Sequence, residues 1–164
     1  MKFLPPLSES ESAQVQAYCL GLLDRFTLDY SSYALGRRRL WLFSEVDLRS
    51  GKISQGYSDR YLEELCQFIY PGCSQGLISY NGTIKGIKSN GSIKPHRDHS
   101  CVQRMARTLN IGECSFICGD DSAELGDGQI IEFDCKKLHS VSDCSIGRVA
   151  INLWRLKPIQ ESLF

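Results

Sequence analysis

From Gly76 onward, glycines cut the chain into short apolar runs. Gly82, Gly86, Gly91, Gly112, Gly119, Gly126, Gly128 and Gly147 punctuate the runs 77–80, 83–87, 107–111, 114–118, 129–133 and 148–154. Regular turn signals between strands of this length favour a sandwich or barrel. Gly126-Asp127-Gly128 reads as a tight turn. Ahead of Gly76 the pattern is different. Ser8-Glu9-Ser10-Glu11-Ser12 offers N-cap and acidic first-turn residues, and Val15, Tyr18, Cys19, Leu22, Leu23 and Phe26 follow the spacing of an amphipathic helix. Leu40-Trp41-Leu42-Phe43 reads as a short buried strand. A second helix is expected from Ser58 to about Tyr70, ended by Pro71-Gly72. The expected architecture is α+β and mainly β: a helical N-terminal support layer (1–75) on a β-core (76–164), forming one compact domain.

Composition removes several classes. With 164 residues, 42% hydrophobic and 23% charged, the chain is neither disordered nor collagen-like and can bury one sizeable core. No apolar stretch approaches the ~20 residues needed to cross a bilayer, so no membrane partner is expected. Met1-Lys2-Phe3-Leu4-Pro5-Pro6 does not have the form of a secretory signal. Eight cysteines in such a chain are expected to be reduced thiols of a cytoplasmic protein rather than a disulfide framework. Cys114-x3-Cys118 and Cys66-x6-Cys73 lack the paired knuckles of a structural zinc site.

Nineteen basic and nineteen acidic residues cancel in total, but not along the chain. Residues 1–30 carry two cations and four anions, 31–107 twelve and six, and 108–164 five and nine. The middle segment is therefore basic and contains Arg37-Arg38-Arg39. Such a patch either steers an anionic ligand or is a solvated face balanced by the acidic C-terminal part.

Two of the three histidines lie in Pro95-His96-Arg97-Asp98-His99. On a strand, residues i and i+2 share a face, so His96 and Asp98 can offer a nitrogen and an oxygen to one point while His99 points away. His139, in Lys137-Leu138-His139-Ser140-Val141, can supply a third ligand. Two histidines and a carboxylate form the facial triad of non-haem Fe(II) oxygenases. His-x-Asp alone is a common dipeptide spacing, and a surface turn would explain it equally. Arg148 opens the otherwise apolar Arg148-Val-Ala-Ile-Asn-Leu-Trp154. A half-buried guanidinium there requires either a structural carboxylate or an anionic ligand.

Taken together, Gly91-Ser-Ile-Lys-Pro-His96-Arg-Asp98, Gly128-Gln-Ile-Ile-Glu-Phe-Asp134, His139-Ser-Val141 and Arg148 to Trp154 resemble the Fe(II)/2-oxoglutarate-dependent dioxygenase superfamily. They are most similar to its aspartyl/asparaginyl β-hydroxylase branch, with an arginine-bearing strand like that of prolyl hydroxylases. The resemblance implies a double-stranded β-helix (jelly-roll, cupin-like) core. It implies iron held by His96, Asp98 and His139, and Arg148 as the anchor for the distal carboxylate of 2-oxoglutarate. It also implies a second arginine on the next strand, for which Arg107 is preferred to Arg104. Iron(II), 2-oxoglutarate and O2 would then be required, with succinate and CO2 released as a C–H bond is hydroxylated.

The sequence also departs from its relatives. Gly86 stands where many of them place a co-substrate tyrosine, and Tyr80 fits only if a hairpin over Asn81 to Asn90 intervenes. Ala150 replaces the hydroxyl residue some of them carry two positions after the arginine. The leading expectation is an oxygenase hydroxylating an amino-acid-type or peptidyl substrate. One alternative is an AlkB-like oxidative demethylase of nucleic acid, although the spacing of Arg148, Asn152 and Arg155 differs from that family's closing strand. Another is a non-catalytic cupin-like metal- or ligand-binding module.

Overall fold

Cys114-Ser-Phe116-Ile-Cys118 buries alternate residues, the period of a strand with one face on a core. The same logic, with partners supplied from far along the chain, builds most of the molecule. The computed structural model describes residues 1–47 and 50–158. The end of the 76–164 segment lies outside the described residues. In chain order the elements are β1 (Lys2–Leu4), α1 (Glu9–Leu20), β2 (Thr27–Leu28), β3 (Arg38–Leu42), β4 (Ser44–Val46), β5 (Ile53–Gln55) and α2 (Arg60–Ile69). They continue with β6 (Gln75–Tyr80), β7 (Gly82–Ile84), β8 (Ile87–Ser89), β9 (Ile93–His96), β10 (Val102–Ile111) and β11 (Cys114–Cys118). The last are β12 (Asp121–Leu125), β13 (Gln129–Asp134), β14 (His139–Ser142) and β15 (Val149–Leu156).

Two antiparallel sheets dominate, a larger one in the order β1-β13-β10-β15-β6-β3-β2 and a smaller one in the order β12-β11-β14-β9. From β9 onward the chain passes back and forth between them. The result is the mainly-β double-stranded β-helix, or jelly roll, with an α+β character from its two helices. Register assigns each residue of the larger sheet to a face. Ala106 lies opposite Trp154, Thr108 opposite Asn152 and Asn110 opposite Ala150, and these look toward the smaller sheet. Arg107, Leu109 and Ile111 lie opposite Leu153, Ile151 and Val149 and look toward the helices. On the helix side Leu42, Ile78, Leu109, Ile151 and Leu153 pack with Val15 and Cys19 of α1 and with Leu62, Cys66 and Ile69 of α2. Fully burying such a side chain contributes about 1.5–3 kcal/mol. Between the sheets, Ala106, Ile131 and Phe133 meet Cys114, Phe116 and Cys118.

The helices start where their caps allow. Ser8 Oγ accepts the Glu11 amide at 3.2 Å, and the Glu11 carboxylate accepts the Ser8 amide at 2.7 Å, closing a capping box. Asp59 caps α2 through the Leu62 amide at 2.9 Å. The same carboxylate accepts the phenols of Tyr18 (2.5 Å) and Tyr57 (2.8 Å), tying α2 to α1.

Residues 1–75 hold both α-helices and also extend the larger sheet with β1, β2 and β3. The apolar run 83–87 is two short strands, β7 and β8, turned back at Lys85-Gly86 with positive φ at both residues. All eight cysteines are free thiols. Among the described residues no helix is long and apolar enough to cross a membrane.

Candidate metal centre

β14 pairs antiparallel with β9, and the register places His139 directly opposite His96. Their ring centroids are 4.3 Å apart. Asp98 lies just beyond the end of β9, so strand parity does not aim it. Its amide instead donates to the Cys135 carbonyl at 2.9 Å, and the side chain turns back between the two imidazoles. Asp98 Oδ1 is 3.3 Å from His96 Nε2 and 3.4 Å from His139 Nε2. One ligating atom from each of the three residues lies within 4.8 Å of the others.

The surrounding groups orient these donors. His96 Nδ1 meets the Lys94 carbonyl and His139 Nδ1 the Lys137 carbonyl, each at 2.9 Å. A carbonyl can only accept, so Nδ1 carries a hydrogen in both rings, and Nε2 is the nitrogen left to ligate a metal through its lone pair. The Trp154 indole donates to Asp98 Oδ2 at 2.7 Å, which leaves Oδ1 facing the histidines. Tyr33 stacks on His96 with centroids 4.6 Å apart, and Phe133 closes on His139 at 5.1 Å.

Burial alone would raise the Asp98 pKa. Contacts with His139 and His96, together with the hydrogen bond from the Trp154 indole, overcome it and hold the carboxyl far below the usual carboxylate range. Burial alone would lower the His139 pKa, but the same Asp98 contact raises it. Two imidazoles around one carboxylate, each Nε2 free to donate, suit a divalent first-row metal.

The triad opens into a cavity of about 760 Å³ lined by both sheets and by residues 29–47. Arg148 lies on its wall, just before β15, and is only 3% exposed. Its Nε donates to Asn110 Oδ1 at 2.7 Å, and Nη1 lies 3.6 Å from Cys144 Sγ. The described residues give it no carboxylate partner. Asn110 is held in turn by donating to the carbonyls of Gly112 (2.7 Å) and Gly126 (3.0 Å). Gly112, at φ +95°, presses against the Arg148 backbone; a Cβ there would lie 2.9 Å from Ser145 Oγ and 3.1 Å from Arg148 Cα.

The structure thus brings together His96, Asp98, His139 and Arg148. It does not bring Arg107 to them. Arg107 has an odd residue number on β10, which places it with Leu109 and Ile111 on the helix side, where Nε binds Glu132 at 2.8 Å, Nη1 binds the Ile69 carbonyl at 2.8 Å and the guanidinium sits 4.8 Å from the Tyr70 ring. Reach along the sequence selected it; strand parity turns it away from the cavity. Arg104 is exposed and paired with Asp134. His99 is exposed, lies at the cavity edge and accepts the Cys101 amide through Nδ1 at 3.1 Å. The hairpin that would bring Tyr80 into range is present as β7–β8, yet Tyr80 packs on the helix side.

Sequence reasoning missed Tyr33, Trp154 and Asn110. Asn110 had a visible signal, as an amide within an apolar strand run. Tyr33, sixty-three positions before His96, had none.

No family model matches the sequence, and no curated protein is matched. Solved structures do match. The structure of OsALKBH1 has a TM-score of 0.66 at 14% identity, covering 94% of this chain and 99% of that one. A prolyl hydroxylase from Trichoplax adhaerens, in complex with a hypoxia inducible factor oxygen degradation domain peptide fragment, has a TM-score of 0.62 at 15% identity, covering 94% and 82%. A Pseudomonas putida prolyl-4-hydroxylase has a TM-score of 0.58 at 13% identity, covering 92% and 89%. At these identities the likeness is one of fold: the chain shares its jelly-roll architecture with OsALKBH1 and with prolyl hydroxylases.

Proposed function

We propose that the protein is an Fe(II)/2-oxoglutarate-dependent dioxygenase that hydroxylates a C–H bond of an amino-acid-type or peptidyl substrate in the cytoplasm. The observation that carries this reading is the pairing of a two-histidine, one-carboxylate cluster with a buried, carboxylate-free guanidinium in one cavity. Likeness of fold to prolyl hydroxylases supports it. His96 Nε2, Asp98 Oδ1 and His139 Nε2 would hold the iron. When bound, Fe(II) with 2-oxoglutarate and O2 supplies the oxidising chemistry, yielding succinate and CO2 as the substrate gains a hydroxyl.

The chain's own contribution is placement. The Lys94 and Lys137 carbonyls fix both imidazole tautomers, and Trp154 fixes the carboxylate rotamer. Arg148, oriented by Asn110, offers its fork to the distal carboxylate of 2-oxoglutarate, and burial strengthens that pairing. Phe133 and Tyr33 exclude water from the histidine rings.

A second reading, an AlkB-like oxidative demethylase of nucleic acid, draws on the likeness to OsALKBH1, which extends over 99% of that chain. Succinate formation across free amino acids, peptides and methylated oligonucleotides separates the two. Turnover stimulated by amino acids or peptides supports the first reading, and stimulation by methylated oligonucleotides alone supports the second. Absence of any iron-dependent 2-oxoglutarate turnover rejects both.

A further inference from the structure

The run Arg37-Arg38-Arg39 finds a place on this cavity that neither the triad nor Arg148 uses. Arg37 and Arg39 line the cavity wall, beside Asp29 and Trp41. Their side chains are 11% and 13% exposed, and that of Asp29 is 7% exposed. Arg37, Arg39 and Asp29 thus share a largely dehydrated stretch of a wall that Glu45 and Asp47 also line.

The carboxylate that pairs with these arginines is already committed. Asp29 Oδ2 accepts Arg37 Nε at 2.9 Å and Nη2 at 2.5 Å, while Oδ1 accepts the Ser31 amide at 2.9 Å. Burial would raise the Asp29 pKa, but Arg37 beside it keeps the carboxyl below its usual range, so it stays charged and paired. Arg39 is left over. Its Nε is 4.0 Å from Asp29 Oδ2, a long ion-pair contact beyond hydrogen-bond reach, and has no hydrogen-bond partner among the described residues. Its Nη1 donates to Thr27 Oγ1, and the described residues give Nη2 no acceptor. A guanidinium this buried and this poorly paired is costly unless a ligand completes it.

Arg39 is also separate from the Arg148 site. Register runs from Arg39 to Ser79 and on to Ala150, across two strand spacings, or about 10 Å at the backbone. With 2-oxoglutarate assigned to Arg148, the excess positive charge at Arg39 belongs to a different anion.

We infer that Arg39, held against Thr27 beside the Arg37–Asp29 pair, binds a free carboxylate of the substrate. Resting on the dioxygenase reading, this favours a free amino acid or similar small acid over an internal peptidyl residue, which presents an amide at its backbone carbonyl and a free carboxylate only where its side chain is acidic.

The test is equilibrium binding of the free L-amino acids and their carboxamides to the wild-type chain, with and without Mn(II) and 2-oxoglutarate, and to Arg39→Gln and Arg39→Lys. At least one acid is expected to bind tenfold or more tightly than its amide. That preference should vanish in Arg39→Gln and survive in part in Arg39→Lys, with melting temperatures confirming that both variants fold. An amide bound as tightly as its acid throughout the panel, or a preference that persists in Arg39→Gln, overturns the inference. So does tighter binding of a methylated oligonucleotide that depends on Arg39, which would make the anion a phosphate. Binding of 2-oxoglutarate, scored separately through Arg148→Gln, shows whether the dioxygenase reading itself has failed, because the acid–amide comparison without metal does not depend on it.

Discussion

The two faces of the larger sheet are built from the same strands, in places from adjacent residues, yet they do opposite things. Toward the helices, Leu109, Ile151 and Leu153 are fully buried, and even the charged Arg107 is paired with Glu132 and the Ile69 carbonyl. Toward the cavity, the same strands bury Thr108, Asn110 and Arg148, with Trp154 donating to Asp98. Thr108 and Asn152 pair with each other at 2.8 Å, and Asn110 takes Arg148. The helix face needs nothing from outside the chain. The cavity face keeps a guanidinium without a counter-charge, and that kind of incompleteness marks a ligand site.

Substitutions that exchange the roles of the faces give graded expectations. The largest effect is Asp98→Ala, which removes the one anion between two imidazoles. Metal binding and iron-dependent 2-oxoglutarate consumption should be abolished, as read by metal titration and succinate release. On the opposite face, Leu153→Ala should cost about 2–5 kcal/mol of folding stability in chemical denaturation, with metal affinity retained by the fraction that stays folded. Arg148→Gln should weaken 2-oxoglutarate binding roughly 10- to 100-fold, the equivalent of a charged hydrogen bond of about 1.5–3 kcal/mol. Trp154→Phe keeps the ring but drops the indole donor, so metal affinity should fall about tenfold. Arg107→Gln should leave 2-oxoglutarate affinity unchanged and cost about 1 kcal/mol of stability. If Arg107 instead proves to govern 2-oxoglutarate binding, the division between the faces fails.

The sequence made these faces only partly legible. Glycine-bounded runs marked β6, β10, β11, β13 and β15, and both α-helices showed through their caps and apolar spacing, although α1 ends at Leu20 and leaves Leu22, Leu23 and Phe26 of the pattern beyond it. β9, β12 and β14 were not read as runs, because their four or five residues are largely polar and form no apolar run between glycines. The histidine-carboxylate set was visible as spacing plus order. What aims Asp98 was not, since a backbone bond to Cys135 and an indole fifty-six positions away leave no local pattern. Arg107 and Arg148 look alike in a string of letters. Only strand register, which a shift of one residue inverts, separates a guanidinium on the cavity wall from one paired on the helix side. Arg37 and Arg39 were legible as a basic run, and alternation along the strand explains why Arg38 points the other way.

The most direct test of the central claim is the visible charge-transfer absorption that develops when 2-oxoglutarate is added anaerobically to Fe(II)-loaded protein. The band should form in the wild type and in Arg107→Gln, require much more 2-oxoglutarate in Arg148→Gln, and be absent in Asp98→Ala. A wild type that binds iron yet develops no band, or an Asp98→Ala variant that develops it in full, would contradict the assignment of this cavity to iron and 2-oxoglutarate.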